Sequence, residues 1–284
     1  MIGPAPVSHG IRLAPRPPGV KARAAAVREL RRRGVRGGVI PQHRAMAGLA
    51  ATPMVAVNAL AIPLVLAVGL MYVLPTITEL WGTLFRLLAA PLGFQGPVLA
   101  RVVTVGDVYA LAIPYVDVAA AWPTGRALTI GAVATVVVLA ATFALPPAFT
   151  PARYALRALV AVQTVATGYF AFATPPYPYR LPDYLIGFMS TAAAVLVLTP
   201  LLLGATFFLF QLALWRKLLL AVLLVAHLAV LFPLQALVHA YLIVHGTLLV
   251  MPVLFLVFGL LVESFVFVAF YGWGMSWTGR TVAP

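Results

Sequence analysis

From Thr247 to Trp273 the sequence carries a single charged side chain, Glu263. A stretch that long and that apolar has few places to go. It exceeds the roughly 18–20 residues that a helix needs to cross the hydrocarbon core of a bilayer. It is also much longer than the strands of about 10 alternating residues that build membrane β-barrels. Five more apolar runs precede it, near 53–74, 127–146, 152–174, 184–214 and 217–242. The reading is an all-α fold, a polytopic transmembrane bundle of six spanning helices. Composition agrees: 63% of the 284 residues are hydrophobic and 9% are charged, against about 25% charged in soluble domains. So few polar side chains cannot cover a globule in water.

The net charge of +13 is uneven. Ten of the nineteen Lys and Arg fall in residues 1–44, opposed there only by Glu29. Residues 1–45 therefore read as a basic, largely disordered cytoplasmic tail, and 46–284 as one transmembrane domain. GPAP and RPPG favour disorder. KARAAAVRELRRR can form a short helix on anionic headgroups. Nucleic acid is disfavoured as a partner, because the tail has no aromatic side chain to stack on bases. A signal peptide is not expected, since the first apolar run begins near residue 46 and is too long. The absence of cysteine excludes disulfides, thiolate metal sites and cysteine nucleophiles.

The stretch 75–126 breaks the pattern. TITELWGTLFRLLAAPLGF sets Glu79 and Arg86 seven residues apart, on one face of a helix. PVLARVVTVGDVYALAIPYVDVAAAW then holds Arg101, Asp107, Asp117 and Pro114, which makes a lipid-facing span costly. The expectation is an outer-face amphipathic or re-entrant segment.

Orientation follows from basic residues in short loops. A cytoplasmic tail puts Arg153, Arg157, Arg216, Lys217 and Arg280 inside, and Arg86, Arg101, Arg126 and Arg180 outside. Both termini are then cytoplasmic, in the plasma (inner) membrane. The inner loops PPAFTP and WRK are too short to dock a cytoplasmic ATPase. The outer loop TPPYPYRLPDY suits a stiff anchor at the headgroups, and FVFVAFYGWGMSW an aromatic belt at the other interface.

No phosphate-binding Gly-rich loop, HExxH or GxSxG stands in a usable context. The informative residues are polar ones at membrane depth: Asn58, Gln163, His227, Gln235, His239, His245 and Glu263. Counted from Lys217 and from Trp273, His227 and Glu263 each lie ~15 Å into the core, with Gln163 at a similar depth. Facing each other, they would make an intramembrane polar pair. It could serve as a proton or ion relay, or as a neutral glutamic acid hydrogen-bonded between helices. A second group gathers toward the outer face: Asp107, Asp117, Asp183, His239 and His245, with Arg101 among them. Imidazole with carboxylate suits zinc, copper or iron. However, His239 and His245 point about 120° apart on a helix, and the aspartates have Arg101, Arg126 and Arg180 to pair with. A bis-histidine haem would need a second subunit, because all three membrane histidines share one helix.

Two classes of function follow. One is a transport protein, or a membrane subunit of a larger assembly with membrane-protein partners. The other is a membrane-embedded enzyme with an outer-face His/Asp site, metal-dependent or not. A water-lined path past Glu263, His227 and Gln163 favours transport. Convergence of the outer-face side chains favours the enzyme. A flat apolar flank with neither favours the subunit.

Overall fold

A computed structural model describes residues 53–105, 109–175, 177–207 and 214–277. All lie in one compact unit, Ala50–Pro284. The basic tail and Asp107 fall outside the described residues. Among the described residues, six helices are long and apolar enough to cross a membrane, which makes the chain a helical membrane protein.

The first helix, α1 (Pro53–Ala89), has 37 residues, about 55 Å at 1.5 Å per residue. It runs straight through Pro75, so 75–89 continues the first span and is no separate segment. A proline inside a helix leaves the carbonyl four residues earlier without its donor. Here that carbonyl is Met71 O, and the Tyr109 hydroxyl donates to it at 2.6 Å. The same device recurs in the fifth helix. Pro233 frees the Ala229 carbonyl, and Trp81 Nε1 of α1 donates to it at 2.7 Å. Prolines are tolerated at membrane depth where a neighbour satisfies the freed group in this way.

After α1 comes an antiparallel hairpin, β1 (Val98–Val105) and β2 (Tyr109–Val116), in register from Val98↔Val116 to Val105↔Tyr109. The bundle is helical as expected, and the hairpin is an addition to it. Its strands, VLARVVTV and YALAIPYV, are rich in β-branched and aromatic residues. The hairpin closes at Gly96, where an added Cβ would stand 1.8 Å from Asp117 O. Only glycine allows that approach.

Helix α2 (Gly125–Ala144) is capped by Thr124, whose hydroxyl accepts from Ala127 N. Helix α3 (Thr150–Phe172) returns alongside it. Arg153 donates to Leu145 O and Arg157 to Thr142 Oγ1, with the Arg157 guanidinium 4.8 Å over Phe143. Two cations thus serve the carbonyl end of α2, where its dipole is negative. Helices α4 (Leu181–Phe207) and α5 (Leu214–His245) follow. The last helix, α6, is continuous over 248–276. It opens with a 3-10 turn, Leu248–Val250, widens to a π-helix at Leu254–Leu261 and finishes as Val262–Ser276.

Helices α1, α4 and α5 form the core, with Trp81, Phe85, Leu185, Met189, Leu196, Leu224 and Phe232 buried among them. Half of the most apolar window of α4 is buried against 11% of that of α2, so α4 is central and α2 peripheral. The α2–α3 pair packs through α3 on the first half of α6. Close contacts fix the registers. Pro63 lies where a Cβ on Gly204 would be, and Leu220 where one on Gly274 would be.

Candidate functional site

At one end of the bundle the loops interlock. Leu248 N donates to Ala121 O, and His245 Nε2 lies 3.4 Å from Leu92 O. Trp122 packs edge-on to Phe170 at 5.1 Å, and Phe170, Tyr169, Tyr177 and Tyr179 form a ring cluster. Burial, then the neighbouring Tyr169 and Tyr179, push the Tyr177 hydroxyl above its ordinary pKa. Of the residues that the sequence grouped as outer-face candidates, Arg101, Asp117, Asp183, His239 and His245 are described, and they do not gather into one site.

Asp183, in the first turn of α4, pairs with Arg101 of β1 at 2.9 Å. Both are well exposed, so the pair contributes about 0–1 kcal/mol. Asp117 is exposed just past β2, with its backbone N–H on Pro97 O. His239 is 2% exposed, and its Nδ1 lies 2.8 Å from the Tyr184 hydroxyl. Phe188 stands edge-on at 5.1 Å, so this is a dry polar bond between α4 and α5. His245 is exposed, and its ring meets that of Tyr241 at 4.3 Å in a tilted arrangement. Among the described residues, no three His, Asp or Glu side chains come together.

The membrane-depth residues are also separated. Gln235 Nε2 donates to Phe258 O in the π-helix, and the His227 ring meets Phe270 at 5.4 Å. Glu263 falls between those two levels, seven residues from Phe270. Seven residues are about 10 Å of helix. Counting inward from Lys217 and Trp273 puts His227 and Glu263 level, but the two boundary residues are not level themselves. Gly274 sits against Leu220, a turn further along α5 than Lys217. His227 is exposed on the flank of α5, and Glu263 is half-exposed on α6. Among the described residues, the Glu263 carboxyl has neither a hydrogen bond nor an ion pair.

Gln163 lies elsewhere. Its amide is 3.4 Å from Thr167 Oγ1. It lines a cavity of about 460 Å³ with His245, Leu242, Val253 and Phe258, between α3, α5 and α6. A second cavity, of about 530 Å³, lies between α3, Tyr177–Tyr179 and Pro252. A third, of about 360 Å³, lies under the hairpin, walled by Met71, Leu74, Leu111, Ile113 and Ala194.

The residues that sequence reasoning passed over are the aromatic donors Trp81, Tyr109 and Tyr184. Intrahelical prolines carried the signal for the first two. A freed carbonyl in an apolar setting needs a donor, and amphipathic aromatics are the residues that supply one there. No family model matches the chain, and neither a curated protein nor a solved structure shows similarity to it.

Proposed function

We propose that this chain is a membrane subunit of a larger assembly, with both termini on the cytoplasmic side. The observation that supports this is Glu263. The Glu263 carboxyl is half-exposed on a spanning helix and has no hydrogen-bond or ion-pair partner among the described residues. An acidic group at the centre of a spanning helix costs about 2.5–3.5 kcal/mol on insertion scales. Such groups normally face a bundle interior, and a neighbouring subunit that supplies a donor or a cation would make this flank interior. His227 lies on the flank of the adjoining helix and extends the same surface. A transport path would instead join Glu263, His227 and Gln163, and these three have separate surroundings. Basic residues set the orientation: the ten of the tail outweigh the near-balance of the short loops.

The test is gentle extraction from native membranes, native-size analysis and subunit identification by mass spectrometry. A particle holding this chain with another integral protein in fixed ratio is expected. Glu263→Leu should dissociate that particle while leaving the lone chain folded. A wild-type chain that runs alone, or only with copies of itself, would refute the reading.

A further inference from the structure

The hairpin does not lie flat on the bundle end. Tyr109 bonds to Met71, and Pro114 Cβ lies 3.7 Å from where Gly82 would carry a Cβ. From 109 to 114 a strand advances about 16 Å, and from 71 to 82 a helix advances about the same. β2 therefore runs beside α1. Beneath the hairpin lie Ala194, Val197 and Leu198 of α4, inside the span Leu181–Gly204. Leu198 is about 26 Å along the helix from Leu181. The turn end of the hairpin thus reaches deep into the zone of the spanning helices.

The two strands differ. β2 is buried from Ile113 to Val116 against α1 and α4. In β1, Leu99, Ala100, Arg101, Val102 and Thr104 are exposed, Val102 at 65%. Alternate residues of β1 bond to β2, and the others aim their N–H and C=O away from it. Among the described residues, nothing outside the hairpin hydrogen-bonds to the β1 main chain. Lipid cannot satisfy such an edge, and open sheet edges do not face hydrocarbon. The only charge on the strand, Arg101, is paired with Asp183, so the exposed strip carries no net charge.

We propose that the free edge of β1 is a docking strip for an extended, uncharged segment of a second, different membrane polypeptide, which joins as a third strand. The inference rests on the subunit reading above. A second copy of this chain fits poorly. Two copies standing the same way up are related by an axis along the membrane normal, so their β1 strands run parallel, with identical residues facing at one level. A parallel ladder needs facing donors offset by one residue, and that offset breaks the closed symmetry of a dimer.

Backbone hydrogen exchange of wild-type protein tests this in the purified assembly and in the chain stripped of its partners. At least tenfold slower exchange of alternate amides within 98–105 is expected in the assembly. Since the chain has no cysteine, Val102→Cys and Thr104→Cys carrying a photo-crosslinker should attach to one segment of a copurified subunit. Val136→Cys, exposed on α2, should attach only to lipid. An intact assembly whose β1 exchanges as fast as in the lone chain overturns the docking strip alone. So do adducts at 102 and 104 confined to lipid or to a second copy, or protection already complete in the stripped chain. Failure to find any assembly overturns the subunit reading and the strip with it.

Discussion

The bond from Trp81 to the Ala229 carbonyl makes a sharp prediction, because its cause can be removed independently. Trp81 is 2% exposed and Nε1 lies 2.7 Å from Ala229 O. Trp81→Phe keeps most of the ring packing and deletes the donor. Leaving a buried acceptor unsatisfied costs about 1–3 kcal/mol, whereas side-chain hydrogen bonds between membrane helices average about 0.6 kcal/mol with a maximum near 1.7. The higher range applies here, since Pro233 denies Ala229 O its helical donor, and we expect a loss of about 1.5–2 kcal/mol. Replacing Pro233 with alanine restores an N–H four residues on. In a Pro233→Ala background, Trp81→Phe should therefore cost at least about 1 kcal/mol less, because the carbonyl now has its helical partner. The assay is reversible unfolding in mixed micelles for the four proteins of the cycle. Additivity within about 0.5 kcal/mol would mean that the proline-freed carbonyl is not what Trp81 serves.

Other perturbations follow from equally local geometry. Gly204→Ala would place a Cβ 2.0 Å from Pro63 Cγ and 3.2 Å from Ala59 O. Such overpacking costs about 1–3 kcal/mol, so a thermal midpoint equal to that of the parent would contradict the α1–α4 register. Tyr184→Phe strands His239 Nδ1 in a dry site and should cost about 1–3 kcal/mol. Tyr184→Phe with His239→Leu should recover most of that loss, and a double variant weaker than the single one would show that the pair is more than a helix tie. Tyr109→Phe should loosen the hairpin from α1 by about 1 kcal/mol, seen as faster proteolysis within 98–116 while the cleavage pattern of α4 and α5 is unchanged.

The spans were legible because length and apolarity alone decide them. The run near 152–174 became Thr150–Phe172, and that near 217–242 became Leu214–His245. The stretch 75–126 was not, for two physical reasons. Pro75 resembles a helix end, yet a donor from elsewhere in the chain lets the helix continue. VVTVGDVYALAIPYV has both hairpin composition and a turn dipeptide, but it is apolar on both faces, so the alternation that marks a half-wet strand is missing. The candidate residues themselves could be picked out as polar groups in apolar runs. Their partners could not, because pairing depends on register. A helix that slides by one turn moves each side chain about 5 Å, enough to give His227 to Phe270 instead of Glu263.

The proline-freed carbonyls also set a timetable for making the protein. The Met71 carbonyl is served from 38 residues downstream and Ala229 by a donor 148 residues upstream. At about 5–20 residues per second of synthesis, α1 waits about 2–8 s for Tyr109 and about 7–30 s before Trp81 meets α5. Early in that wait the first span sits in the membrane with an open acceptor, and throughout it with an idle indole donor. The nascent chain is thus least self-sufficient at its beginning, and the first helix to enter the bilayer is among the last to be locked.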